Sequence, residues 1–368
     1  MAKYRFRFVD LGARDGYFIQ SVYEAIAYFV GQGSSPPTLV FVYPLRPYVC
    51  IGVNQLPDLE VNMEYCRVKG IEVVRRQVGG GAVYLDSNQQ FYHVVMPRGH
   101  SLAQGTIRDI FERVLQAIVC FYRSYGLSAQ YKPVNDVVIG GRKASGNGAA
   151  LLHDAVVVIG NVILDFDAET AASVLRVPDE KLRSHLVSSM KEWVTSLKGE
   201  LGSVPPREDV TARLRKCFEE TLSLELEEGS LTSEEYKLAL EISSRMKSRE
   251  WLYALSEERE YLLQRYAPSS RVVKIKEGHY VVYTEHRGHK TYKGLIEVVD
   301  GVVKSCVVSS ESFTITPREV VRVARCLEGL RVRELSSKSV ECLELVSSVE
   351  DREDLKGLIA KIQASTPT

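Results

Sequence analysis

The 368-residue sequence predicts an α+β protein: a mixed β-sheet flanked by helices, followed by a small α+β C-terminal domain. Three observations predict it. Strand-length apolar runs alternate with segments of helical spacing as far as residue 228. A charged stretch from Glu227 to Glu250 then separates them from a second set of elements. That set carries a hairpin signal at Asp300-Gly301 and a helix start at Thr316. The two domains are read as residues 1–255 and 256–368.

The elements follow in chain order. Met1 to Arg7 leads into a strand-like alternation, not the apolar core of a signal peptide. Residues 16–31 predict a helix whose apolar face is Phe18, Val22, Ala25, Ile26 and Phe29. Residues 39–43, 48–51 and 73–76 read as strands, and 82–85 with 91–96 as a hairpin about Asp86-Ser87-Asn88. A helix over 107–125 places Ile110, Val114, Ala117, Ile118 and Phe121 on one side and stops at Gly126. A meander follows: 136–139, a Gly140-Gly141 turn, Lys143 onward, 155–158 and 161–164. Helices are read at 168–177 and 207–228. In the second domain, 294–299 and 302–308 flank the Asp300-Gly301 turn. Thr316, Pro317 and Glu319 give an N-cap, a first-turn proline and a capping-box glutamate for a helix to about residue 327. A last helix spans 352–364.

Composition excludes several classes. Lys plus Arg equals Asp plus Glu at 47 each, so no global field attracts nucleic acid or an anionic membrane. No apolar run reaches the roughly 18 residues of a spanning helix. The 19 tyrosines form no stacking platform for bases. The reading is a cytoplasmic protein with neither a nucleic-acid nor a membrane partner. The seven cysteines lack any CxxC, which speaks against a zinc site or a secreted disulfide framework. Most, such as Cys120, sit among apolar residues and read as buried inert thiols. His93 alternates with Phe91 and Val95 and reads as packed; His286 and His289 read as solvated.

Chemistry concentrates at Arg75-Arg76-Gln77-Val78-Gly79-Gly80-Gly81-Ala82-Val83-Tyr84-Leu85-Asp86. Arginines beside glycines suit an anion, because backbone N–H groups and guanidinium forks donate to it. A P-loop would continue Gly-Lys-Ser/Thr into a helix, and a dinucleotide loop would also open a helix. Here β-prone residues follow instead, so the loop is neither.

Two further motifs flank this one. Upstream are Ile51-Gly52-Val53-Asn54-Gln55 and Glu60-Val61-Asn62; downstream are Asn135-Asp136 and Gly141-Arg142-Lys143-Ala144-Ser145-Gly146-Asn147. Together they resemble the lipoate-protein ligase family, within the biotin/lipoate ligase fold group. The resemblance runs from about residue 38 to 200 and resumes at Ser248-Arg249-Glu250-Trp251, which looks like the family's hinge before an accessory domain.

The resemblance implies a biotin/lipoate-ligase-like mixed sheet and an ATP-dependent reaction. Lipoate or octanoate would be activated as an acyl-adenylate, with ATP and Mg²⁺, and passed to a lysine of a carrier domain. Such carriers are the glycine-cleavage H protein, a 2-oxoacid dehydrogenase E2 or a sulfur-oxidation lipoate-binding protein. Lys143 matches the family's catalytic lysine. Arg76, Gly79, Gly80, Gly81, Ala82, Val83, Tyr84, Asn135, Asp136, Ser145 and Gly146 match positions around ATP and the adenylate, and Asp136 is the candidate for Mg²⁺. Val73, Val83 and Val137 are candidates for an acyl slot. Arg142, on the other strand face, is given no catalytic role.

Departures bear on function. Val78, Leu85 and Ile159 stand where the family commonly has Ser or Thr, His and His, and Asn161 stands where it has Thr. Three alternatives remain. An ATP-independent octanoyl or lipoyl transferase would carry a cysteine near Pro133-Val134-Asn135-Asp136, and none is there. A biotin ligase would show a GRGR-type loop with tryptophan nearby. A non-catalytic carrier-binding protein would fit the missing histidines.

Overall fold

In the computed structural model, residues 3–177, 180–266 and 272–367 are described. Met1 and Ala2 of the predicted first strand, and residues 267–271 and Thr368 of the predicted second domain, lie outside them. The chain forms two compact units, each discontinuous in sequence. The first is Met1–Tyr48, Tyr84–Ala172 and Arg183–Lys247; the second is Val49–Val83, Ser173–Leu182 and Ser248–Thr368. Residues 49–83 thus cluster with the C-terminal segment.

Strands are numbered in chain order: β1 (Tyr4–Arg14), β2 (Thr38–Pro44), β3 (Tyr48–Ile51), β4 (Glu72–Arg75), β5 (Val83–Leu85), β6 (Gln89–Pro97), β7 (Ala129–Lys132) and β8 (Asp136–Ile139). There follow β9 (Arg142–Leu152), β10 (Ala155–Ile163), β11 (Leu224–Glu228), β12 (Val272–Lys276), β13 (His279–Arg287), β14 (Thr291–Val299) and β15 (Val302–Ser310).

The first unit is built on an eight-stranded mixed sheet, ordered β11-β1-β2-β6-β10-β9-β8-β7. β1 runs parallel to β11 and β2; the remaining neighbours are antiparallel. One face buries Tyr92, Val94, Val158 and Val162 against Ile110, Phe111, Phe121 and Phe218 of three helices. Helix Gly16–Gly31 packs on β6 and β10. Its Asp15 cap accepts from Phe18 N at 3.0 Å, satisfying a donor that the first turn leaves open.

The second unit holds a four-stranded meander, β12-β13-β14-β15. Helices Pro317–Leu327 and Val349–Ser365 cover it over Val282, Ile296, Val308, Leu358 and Ile362. The Thr316–Glu319 capping box is present as predicted. Leu56 and Leu59 join a second cluster with Tyr253, Leu262, Leu295 and Val307. Arg75, 1% exposed, donates to the carbonyls of Val53 and Leu252.

Several expectations are corrected. β5 and β6 do not form a hairpin: β6 pairs with β2 and β10, and β5 is outside that sheet. The two predicted strands at 155–158 and 161–164 are one, because Gly160 keeps extended geometry in the ladder. The helix at 207–228 ends at Leu222, where Ser223 turns left-handed (φ 54°) and β11 begins. The charged stretch 227–250 contains helix Ser233–Met246, opened by a Thr232–Glu235 capping box. Four cysteines are not inert thiols. Cys120–Cys217 and Cys326–Cys342 are disulfides, with Cα atoms 5.7 and 5.6 Å apart. His286 is half-buried rather than solvated, its ring lying where a Cβ on Gly357 would fall. Among the described residues no helix is long and apolar enough to cross a membrane.

Candidate active site

The β8–β9 hairpin carries the downstream motif. Its register pairs Asp136 with Gly146, Val137 with Ser145 and Val138 with Lys143, so Ala144 is an extra residue on β9. Such a bulge twists a strand locally and re-aims its side chains. Lys143 Nζ lies 2.7 Å from Asp136 Oδ1, and its side chain runs over Gly146. Lys143 is two-fifths exposed, so the ammonium faces solvent while keeping a carboxylate partner. Thr195 N donates to the Lys143 carbonyl at 2.8 Å, fixing the strand from its outer side. Arg142 pairs with Glu200 at 2.6 Å, away from this chemistry.

A buried polar network lies behind the lysine. Asn135 Nδ2 donates to Asn147 O at 2.5 Å and Asn147 Nδ2 donates to Asn135 O at 2.8 Å. Asn147 Oδ1 accepts from Tyr92 Oη and from Ser145 Oγ. On the neighbouring strand, Asn161 Oδ1 accepts from Gly146 N at 3.0 Å while its amide donates to Gln89 Oε1 at 2.6 Å. Gly160 leaves the room: a Cβ there would meet Asn147 Oδ1 at 1.9 Å.

The glycine-rich loop belongs to the second unit, as do Arg76 and Gly79 to Val83; Tyr84, Asn135, Asp136, Lys143, Ser145 and Gly146 belong to the first. Arg76 is buried and donates to the carbonyls of Gly79, Gly81 and Cys50. In a trans peptide the N–H points opposite to the C=O. The N–H groups of Gly80 and Ala82 therefore turn away from the guanidinium. Arg76 shapes the loop here and does not extend from it. The glycines also admit the chain itself: a Cβ on Gly79 would lie 2.4 Å from Ser312 O, and one on Gly81 3.1 Å from Glu311 Oε1.

Residues 15–219 match the model of the lipoyl protein ligase A/B catalytic domain. The chain belongs to that ligase family. A relative, an octanoyltransferase LipM of Kyrpidia tusciae, is 27% identical over 67% of this chain and 98% of its own. The bipartite lipoate protein ligase of Thermoplasma acidophilum, solved with its E2 lipoyl domain, is 27% identical with a TM-score of 0.61. That match covers 68% of this chain and 96% of the other. LipL1 of P. falciparum, solved with lipoate, covers 97% of this chain and 99% of its own at a TM-score of 0.68. At 14% identity it shows the fold alone, across both units.

This lipoyl ligase family member is thus an enzyme of a group containing both ligases and octanoyltransferases. The described free thiols bear on that division. Cys50, Cys66 and Cys306 are all buried. Burial raises the Cys50 thiol despite the nearby Arg76, and pushes Cys66 up to about 11 and Cys306 up to about 12. None is held as a thiolate, the form that attacks an ester or thioester. Among the acyl-slot candidates, Val137 is buried in the core beneath the sheet and Val83 is 40% exposed. Among the described residues, no group of three or more His, Cys, Asp or Glu is placed to hold a metal. Tyr92, Asn147, Asn161 and Gln89 were not singled out as site residues. Asn147, inside the motif, and Asn161, at a position where the family has Thr, carried signals that could have found them; Tyr92 and Gln89 carried none.

Proposed function

We propose that this protein is an ATP-dependent lipoate-protein ligase. Lipoate's carboxylate attacks the α-phosphorus of ATP, releasing diphosphate. The amine of a carrier lysine then attacks the acyl-adenylate, releasing AMP and a proton. The observation that carries the reading is Lys143, paired with Asp136 over Gly146, on a chain whose described free thiols are all buried and protonated. A fixed ammonium opposes charge on the phosphate in the first step and on the carbonyl oxygen in the second. Preorganised donors of this kind contribute about 2.7–4 kcal/mol each.

The glycine-rich loop, from Arg76 through Tyr84, is proposed to take the nucleotide phosphates on its outward N–H groups. Mg²⁺ accompanying ATP needs only one or two protein carboxylates besides phosphate oxygens, which the lone carboxylate of Asp136 suits. Such an ion supplies charge neutralisation on the triphosphate. The acceptor is proposed to be a lipoyl-carrier domain, such as the glycine-cleavage H protein, an E2 or a sulfur-oxidation lipoate-binding protein. Residues 256–368 are proposed as an accessory domain needed for adenylation. Chains ending at residue 255 should lose adenylation yet transfer from preformed lipoyl-adenylate; retained adenylation overturns that assignment.

The second reading, an octanoyltransferase, is favoured by the LipM relative. Intact mass of an apo carrier, incubated with enzyme, lipoate, ATP and Mg²⁺, decides. An ATP-dependent lipoyl adduct supports the ligase. An octanoyl adduct formed without ATP from octanoyl-acyl carrier protein supports the transferase.

A further inference from the structure

We propose that Tyr92 is a positioning residue for Lys143, acting through Asn147 and the Asn135-Asp136 segment, an inference that rests on the ligase reading. Tyr92 is 0% exposed, Asn147 8% and Ser145 0%, beside an otherwise apolar cluster of Val94, Val158 and Val162. Replacing both partners of a buried hydrogen bond by apolar groups is nearly neutral for stability. Stability alone therefore does not account for a hydroxyl–amide pair at this depth.

The arrangement has a directional consequence. The Asn135 carbonyl only accepts, so the Asn147 atom facing it must be the amide nitrogen, which turns Oδ1 toward the hydroxyls of Tyr92 and Ser145, both of which donate to it. Asn147 Nδ2 lies 2.8 Å from the Asn135 carbonyl, while the Asn135 amide donates back at 2.5 Å. The pair locks residue 135, whose neighbour Asp136 meets Lys143 Nζ at 2.7 Å. Burial keeps the Tyr92 phenol well above its usual range, so it stays a donor at working pH. A second tyrosine secures the bulge: Tyr122 Oη donates to Ala144 O at 2.5 Å and accepts from Ile163 N at 3.0 Å. Loss of the Tyr92 hydroxyl frees the Asn147 amide to rotate, and Asp136 loses its fixed approach to the lysine. A misplacement of about 1 Å at a reacting group can cost 10²-fold in rate.

The test uses the full chain and Tyr92→Phe, with Tyr125→Phe as a control that loses a half-buried hydroxyl bond to Asp209, away from the β8–β9 hairpin. We expect Tyr92→Phe to lower kcat for acyl-adenylate formation about 10- to 100-fold. KM for ATP and lipoate should stay within about twofold of wild type, with one titratable adenylate per chain, as the chemistry and not the binding is displaced. Amide exchange over residues 134–137 should quicken by about 10-fold or more, equivalent to roughly 1.4 kcal/mol of lost local protection. The control should leave both unchanged. Unchanged exchange at 134–137 overturns the proposal whatever the reaction is, as does a kcat loss matched by lost titratable sites. Wild-type protein forming no adenylate sinks the ligase reading, while the exchange measurement still decides this one. If Tyr92→Phe does not fold, Ser145→Ala removes the other donor on the same oxygen and must quicken the same segment.

Discussion

Lys143 Nζ and Asp136 Oδ1 meet at 2.7 Å across the β8–β9 hairpin, beside a bulge that makes Ala144 the extra residue. The ion pair sets a carboxylate beside the ammonium before any ligand arrives. Lys143→Ala should lower ATP-dependent lipoylation about 10²- to 10³-fold, the usual cost of one preorganised donor. Lys143→Arg should not restore it, because a planar fork does not replace a point charge. Asp136→Asn should give a smaller loss. Steady-state rates with an apo carrier check this, and wild-type activity in Lys143→Ala would remove the lysine from the mechanism.

Gly79 is predicted to be intolerant for a reason internal to the fold. A Cβ there would lie 2.4 Å from Ser312 O and 2.9 Å from Phe313 Cα, both backbone atoms that have no rotamer to change. Gly79→Ala should destabilise the protein by about 1–3 kcal/mol, in the range of overpacking. The urea midpoint reports it. A wild-type midpoint would mean that residues 311–313 do not pack on the loop.

His93 makes stability depend on pH. Its ring is 2% exposed, lies edge-on to Tyr23 and is lowered by burial from 6.5 to about 3. The unfolded chain therefore binds this proton where the folded chain does not. The stabilisation is fully present above about pH 6.5 and is lost as pH falls toward 3, with a slope of up to about 1.4 kcal/mol per unit. His93→Leu should flatten the urea midpoint between pH 6.5 and 4 relative to wild type. An equal slope in both proteins would assign acid sensitivity to other groups.

Much of this was legible locally. The helix at 16–31 and the Thr316 capping box depend on near neighbours, so their patterns sufficed. β5 and β6 failed as a hairpin because strand pairing is decided across the sheet, where β2 and β10 take both edges of β6. The catalytic candidates on the β8–β9 hairpin were legible because one motif holds them. Tyr92 and Gln89 were not, since their partners lie 55 and 72 residues away and no spacing announces them. Arg76 was legible as a loop residue. Its bonds to the carbonyls of Gly79 and Gly81 follow from the loop's path, which sequence leaves open.

The two disulfides lead to the last prediction. Cys120–Cys217 ties helix Gln116–Arg123 to helix Arg207–Leu222 over a separation of 97 residues; Cys326–Cys342 closes only 16. In the chain-entropy account, a bridge stabilises by restricting the unfolded chain, giving about 4.7 kcal/mol for a 100-residue loop and about 3 for a 15-residue one. Reductant should therefore lower the urea midpoint, and Cys217→Ser should account for more of the fall than Cys342→Ser. The first bridge lies in the same core cluster as Phe121 and Phe218, beneath the strands that hold Tyr92. Its loss should act on stability and leave kcat of the folded fraction unchanged, because Tyr122 on the same helix keeps its bonds to Ala144 O and Ile163 N without the bridge. A midpoint indifferent to reductant would show that these cysteines are not bridged in solution. A kcat loss at full folding would show that the core positions the lysine more widely than through Asn147.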